Sequence, residues 1–103
     1  MGKKLVKNEE ELKKSMILPS ENDILGIVTK RLGQNRVMVS CQDGFKRLCR
    51  IRGKIRRRKW VRRDDIVLVS PWEFQSESKG DIFFRYTRNQ VRWLREKGIL
   101  KTG

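Results

Sequence analysis

The period of the hydrophobic pattern changes once along this chain, near residue 24. Before it, residues 1–20 mix Lys and Glu with isolated apolar side chains. Glu9 with Lys13 and Glu10 with Lys14 have the i,i+4 spacing of weak helix support, but Leu5, Leu12 and Met16 make no continuous face. The pattern predicts a flexible N-terminal tail over 1–20, bounded by the Pro-Ser-Glu-Asn-Asp run at 19–23. From residue 24 the alternation is two-fold. Residues 24–32 predict a first strand with a bulge or bend at Gly26, and residues 33–35 a turn. Residues 36–41 predict a second strand with Val37, Val39 and Cys41 on one face and Arg36, Met38 and Ser40 on the other. Asp43-Gly44 then predicts a hairpin turn.

Residues 45–52 predict a third strand, Cys49 and Ile51 inward and Arg50 and Arg52 outward, with a bulge or two-sided burial at Leu48. A basic connection over 53–59 is expected to hold at most one helical turn. Residues 65–70 predict a fourth strand ended by Pro71, and residues 81–86 a fifth after a polar loop at 72–80. A helix follows, with Thr87 and Gln90 at capping-box spacing, Val91 and Leu94 as its apolar pair and Gly98 at its end. Five short strands too closely spaced for crossover helices predict a mainly β chain: a five-stranded OB-fold β-barrel with a C-terminal α-helix. The expected division is a tail at 1–20, the barrel at 21–88, and the helix with a short tail at 89–103.

Charge changes this picture most. The formal net charge is +14, and residues 24–72 hold +11 of it while residues 1–23 sum to zero. The excess therefore belongs to the folded part. Residues 50–63 concentrate nine Lys or Arg side chains with no acid and one tryptophan, Trp60. Such a run is ordinarily offset by a polyanion, and an indole among the cations adds a stacking surface for a base. Core packing of Trp60, with Val61 outward, is the competing reading; Val61 in the core with Trp60 on the surface is the other. Trp72 and Trp93 are expected to pack at domain edges, and Phe83, Phe84 and Tyr86 to put two rings inward and one out.

The chain has no histidine and two cysteines, too few for a four-ligand structural zinc site. No Gly-rich phosphate loop or nucleophile elbow occurs, so neither an enzyme nor a cofactor is expected. Cys41 and Cys49 could face each other on neighbouring strands, but small buried thiols in a reducing compartment are the expectation. The absence of any long apolar run predicts a soluble, cytoplasmic protein with no membrane partner.

The run GFKRLCRIRGKIRRRKW at 44–60, with DDIVLVS at 64–70 and KGDIFFRY at 79–86, resembles the archaeal and eukaryotic translation initiation factor 1A family. More faintly, through Gly53 to Arg56, it is similar to bacterial initiation factor one. The resemblance implies a barrel with a C-terminal helix that binds rRNA in the aminoacyl-tRNA site of the small ribosomal subunit. It also implies promotion of initiator tRNA and mRNA binding and of initiation complex assembly, with other initiation factors as indirect partners. Carried over by position, the RNA-facing residues are Arg36, Lys46, Arg52, Lys54, Arg56, Arg57, Arg58 and Trp60. Eukaryotic members have long tails; the short ends here look archaeal, and tail-dependent docking on the subunit-joining GTPase is not carried over. A monomer is expected. The alternatives are a general single-stranded nucleic-acid-binding or RNA chaperone barrel, and a protein adaptor whose basic face meets an acidic partner.

Overall fold

A computed structural model describes residues 9–52 and 61–101. Five strands form a closed barrel: β1 Ile24–Gly33, β2 Arg36–Cys41, β3 Lys46–Ile51, β4 Ile66–Pro71 and β5 Lys79–Arg85, in the spatial order β1-β2-β3-β5-β4. Among the described residues two helices flank it, α1 Glu9–Lys14 and α2 Arg88–Glu96. Every strand pair is antiparallel except β3 with β5, which run parallel from Leu48↔Lys79 to Ile51↔Ile82. The expected barrel with a C-terminal helix is what the chain forms.

The two-fold alternation fills the interior. Val28, Val37, Val39, Cys49, Val67, Val69 and Ile82 are wholly buried in one cluster with Cys41 and Val61. Stiff β-branched side chains suit this narrow space, because they fill it without many rotamers to lose. β4 is buried on both faces. Val67 and Val69 enter the barrel, while Ile66 and Leu68 join Leu25, Tyr86, Trp93, Leu94 and Leu100 in a second cluster under α2.

Local chemistry sets the ends of these elements. Gln34 and Asn35 both take positive φ, 52° and 62°, the left-handed pair that matches the twist of a two-residue hairpin. Gly44 at φ 95° closes the next hairpin, its N–H donating to the Cys41 carbonyl at 3.0 Å. At α2 the Thr87 hydroxyl accepts from the Gln90 N–H and the Gln90 side chain accepts from the Thr87 N–H, completing the capping box. Gly98 at φ 76° turns the chain, so that the Ile99 N–H returns to the Leu94 carbonyl at 2.9 Å.

Several local expectations are corrected. The register shifts in β1 fall between Val28 and Lys30 and between Arg31 and Gly33, beyond Gly26. Gly26 instead permits close approach of β2: a Cβ there would stand 2.4 Å from Val39 Cγ1 and 3.0 Å from the Ser40 carbonyl oxygen. β3 pairs with β2 without a register shift, so Leu48 lies on the outer face beside Met38, half-buried, and needs no bulge. Cys49 lies opposite Val37, not Cys41, and the expectation of small buried thiols holds, since both are free and buried. Tyr86 is buried, while Phe83 and Phe84 are half-buried against the second cluster.

Residues 9–18 are held more firmly than their scattered apolar positions suggest. Met16 is buried in the cluster under α2, and the Gln90 side-chain amide donates to the Ser15 carbonyl and hydroxyl. The Tyr86 hydroxyl donates to the Ile17 carbonyl. One methionine and two buried polar side chains supply this anchorage, which periodicity does not register.

Arg47, on the inward parity of β3, is 3% exposed. Its guanidinium grips Asp43 through two bonds of 3.0 and 2.8 Å and also donates to the Ser76 carbonyl, joining the β2–β3 turn to the β4–β5 loop. The hydrogen bonds from Arg47 hold the Asp43 carboxyl below its ordinary pKa of 3.8.

Two outcomes follow from this packing. Gly26→Ala is expected to destabilise the fold by about 1–3 kcal/mol through overpacking against Val39, measured by denaturant unfolding. Arg47→Met should cost about 2–3 kcal/mol at neutral pH, because Asp43 and the Ser76 carbonyl lose their partner. A carboxylate with a depressed folded pKa contributes stability above pH 3.8 that disappears as pH falls through the folded value. The variant should therefore lose less stability than the parent between pH 5 and pH 2, read from unfolding midpoints.

Candidate nucleic-acid interface

Directly opposed residues on paired strands share a face, which lets the register assemble the outer surface of β2, β3 and β5. Arg36 lies opposite Arg50, Met38 opposite Leu48 and Ser40 opposite Lys46. Across the parallel seam, Leu48 lies opposite Lys79 and Arg50 opposite Asp81. The result is a surface with Arg36, Lys46, Arg50 and Lys79 around a half-buried apolar centre of Met38 and Leu48. Arg52 leaves β3 with the same parity, exposed.

Arg36 beside Arg50 is a like-charge pair, unfavourable on adjacent strands. Asp81 offsets it from the other side. Its carboxylate lies 3.3 Å from Arg50 Nε and 3.9 Å from Arg52 Nη1. Both arginine side chains remain about 60% exposed, so these pairs orient the cations more than they stabilise the fold. Asp81 also accepts a 3.0 Å bond from the Trp72 indole N–H. The Trp72 ring then has the Arg50 guanidinium and the Lys79 ammonium each 5.7 Å from its centroid. Arg36, Leu48, Arg50, Trp72 and Lys79 line one shallow hollow.

Such a surface can hold phosphates with its exposed cations and offer an indole edge or apolar floor to a sugar or base. Covalent chemistry has little support. Burial pushes the Cys49 thiol up to about 12 and raises Cys41 as well, although Arg47 pulls the latter down. Among the described residues no group of three or more potential metal ligands comes together.

Of the residues singled out from the sequence, Arg36, Lys46 and Arg52 lie together on this face. Lys54, Arg56, Arg57, Arg58 and Trp60 lie outside the described residues. Val61 is buried in the barrel, in keeping with the reading that gave the core to Val61. Arg62 and Arg63 depart from the group: they lead into β4, beside β1, and the Arg62 N–H donates to Asp65. Trp93 packs at the domain edge as expected, 9% exposed. Trp72 does not. Its partner Asp81 holds the half-exposed indole among cations, and the sequence pattern gave no sign of that pairing. Lys79 was missed for the same reason, since only the parallel seam brings it to β3.

Comparison with known proteins bears on the same region. The profile of the family described as Translation initiation factor 1A / IF-1 matches residues 13–102. Translation initiation factor 1A of Methanopyrus kandleri is 51% identical over 100 residues, covering 97% of this chain and 86% of its own. The chain belongs to the translation initiation factor 1A family. Another member, from Methanococcus aeolicus, is 56% identical over 80 residues, covering 78% of this chain and 76% of its own. Among solved structures, YjeQ from Thermotoga maritima superposes with a TM-score of 0.52 at 28% identity over 64% of this chain. That match spans only 23% of YjeQ. For this initiation factor 1A family member, the match covers all five strands and α2, including every residue of the cationic face.

The role of Asp81 gives opposite signs in two variants. Asp81→Asn keeps an acceptor for the indole and removes the negative charge, and should tighten binding to single-stranded RNA by a few-fold. Trp72→Ala should weaken it by about tenfold, the lower range for loss of one stacked base. Fluorescence anisotropy at fixed salt measures both.

Proposed function

We propose that this chain acts in translation initiation as a non-enzymatic factor seated in the aminoacyl-tRNA site of the small ribosomal subunit. The observation that carries this reading is the gathering of Arg36, Lys46, Arg50, Arg52 and Lys79 around Trp72 on one face of a closed barrel. Family membership supplies the process, and the +14 charge supplies a partner rich in phosphate. Lys54, Arg56, Arg57 and Arg58 extend the phosphate contacts from the adjoining connection, and Trp60 stacks on a base or sugar.

Two indoles, Trp72 in its hollow and Trp60 on the connection, suit a folded rRNA surface better than a run of unstacked bases, which would need more aromatic platforms. Specificity then comes from the fit of the barrel to the RNA groove. By occupying the site, the factor promotes initiator tRNA and mRNA binding and assembly of the initiation complex, other factors being reached indirectly. Closure of the five strands into a barrel supports a monomer, because it leaves little strand edge open among the described residues. A role on ribosomes supports a cytoplasmic location; no helix among the described residues is long and apolar enough to cross a membrane.

Co-sedimentation with purified small subunits tests this reading. Binding should survive excess competitor single strands, with log affinity falling against log salt at a slope of about −4 to −5 for six phosphate contacts. Arg57→Ala with Arg58→Ala should weaken binding and flatten the slope by about one unit per lost contact. Equal binding to any single strand would indicate a general nucleic-acid-binding barrel instead, and complexes without RNA a protein adaptor.

A further inference from the structure

The β4–β5 loop presents a different chemistry from the face beside it. Phe74 is 82% exposed, almost twice the exposure of the next large hydrophobic side chains, Ile17 and Leu32 at 44%. A lone exposed apolar residue is ordinary on a soluble protein, but this one sits on a rigid mount. Gln75 takes φ 62°, its carbonyl accepts from the Ser78 and Lys79 N–H groups, and the buried Arg47 donates to the Ser76 carbonyl. The Trp72 N–H closes the loop on the Lys79 carbonyl at 3.1 Å. A ring held out by a fixed backbone loses little freedom on docking.

The loop also reverses the local sign of charge. Residues 73–78 carry Glu73 and Glu77, both exposed, and no base, within a chain of net charge +14. An RNA backbone would be repelled there. A basic protein surface would be attracted, and an apolar socket on it would take the ring.

We propose that Phe74, flanked by Glu73 and Glu77, is a docking point for a basic protein surface carrying an apolar socket, next to the RNA bound by the cationic face. This rests on the small-subunit reading above and adds a protein partner to it. The footprint is then divided: cations and Trp72 on RNA, the acidic loop on protein.

The test compares intact small subunits with their protein-free rRNA, using the full chain, Phe74→Ala, and Glu73→Lys combined with Glu77→Lys. An exposed ring and exposed carboxylates can be changed without unfolding the barrel, and unchanged thermal unfolding verifies this. Phe74→Ala should weaken binding to intact subunits by about tenfold and leave rRNA binding unaltered. The double charge reversal should also weaken binding to intact subunits while strengthening rRNA binding. Tighter binding of the charge-reversed protein to intact subunits would overturn the proposal, as would Phe74→Ala acting equally on protein-free rRNA or on neither target. Failure of the unmodified chain to bind subunits at all would sink the small-subunit reading itself. Normal binding by chain and variants alike sinks only the protein contact.

Discussion

The parallel pairing of β3 with β5 is the constraint on which the rest of the molecule depends. β4 must cross between them in sequence and pair antiparallel with both β5 and β1, and only then does the sheet close. Closure defines an interior that valines can fill. It also brings backbones close. Gly26 faces Val39 and Gly80 faces Val69 at distances where a Cβ would collide, so these two glycines are requirements of the closed geometry. The same seam puts Asp81 beside Arg50 and Lys79 beside Leu48, which creates the hollow around Trp72.

The barrel is asymmetric in what covers it. On one side α2, the Met16 anchor and the outer face of β4 make a second hydrophobic cluster. On the other side the outer face of β2, β3 and β5 remains open and carries the cations. Stability and charge are thereby separated: apolar burial under the helix supports the fold, and the open face carries like charges that add little to it. A single carboxylate, Asp81, moderates that repulsion and fixes the indole. Arg47 performs the corresponding structural task inside, where a charge is tolerable because Asp43 and the Ser76 carbonyl accept three hydrogen bonds from it.

The strands and their faces were legible because two-fold alternation reports burial directly: Val37, Val39 and Cys41 point inward as their spacing requires. Asp43-Gly44 and the Thr87–Gln90 box were legible because turns and caps are written in adjacent residues. What escaped depends on partners distant in sequence. Arg47 reads as a surface cation until Asp43 and Ser76 are placed around it. Gly26 reads as a bulge until Val39 is seen against it. Trp72 reads as packing because its fixing carboxylate sits on another strand, nine residues on. Arg36, Lys46 and Arg52 were legible as cations; that they share a plane is a property of the register.

That shared plane is most directly tested by amide chemical-shift mapping of the isotope-labelled chain titrated with the decoding-site segment of small-subunit rRNA. Shifts should centre on the open face, at Arg36, Lys46, Leu48, Arg50, Arg52 and the Trp72 indole, together with the basic connection at 53–60, and should fade as salt is raised. Perturbation centred on Trp93, Leu94 and Leu100 beneath the helix, with the open face silent, would contradict it.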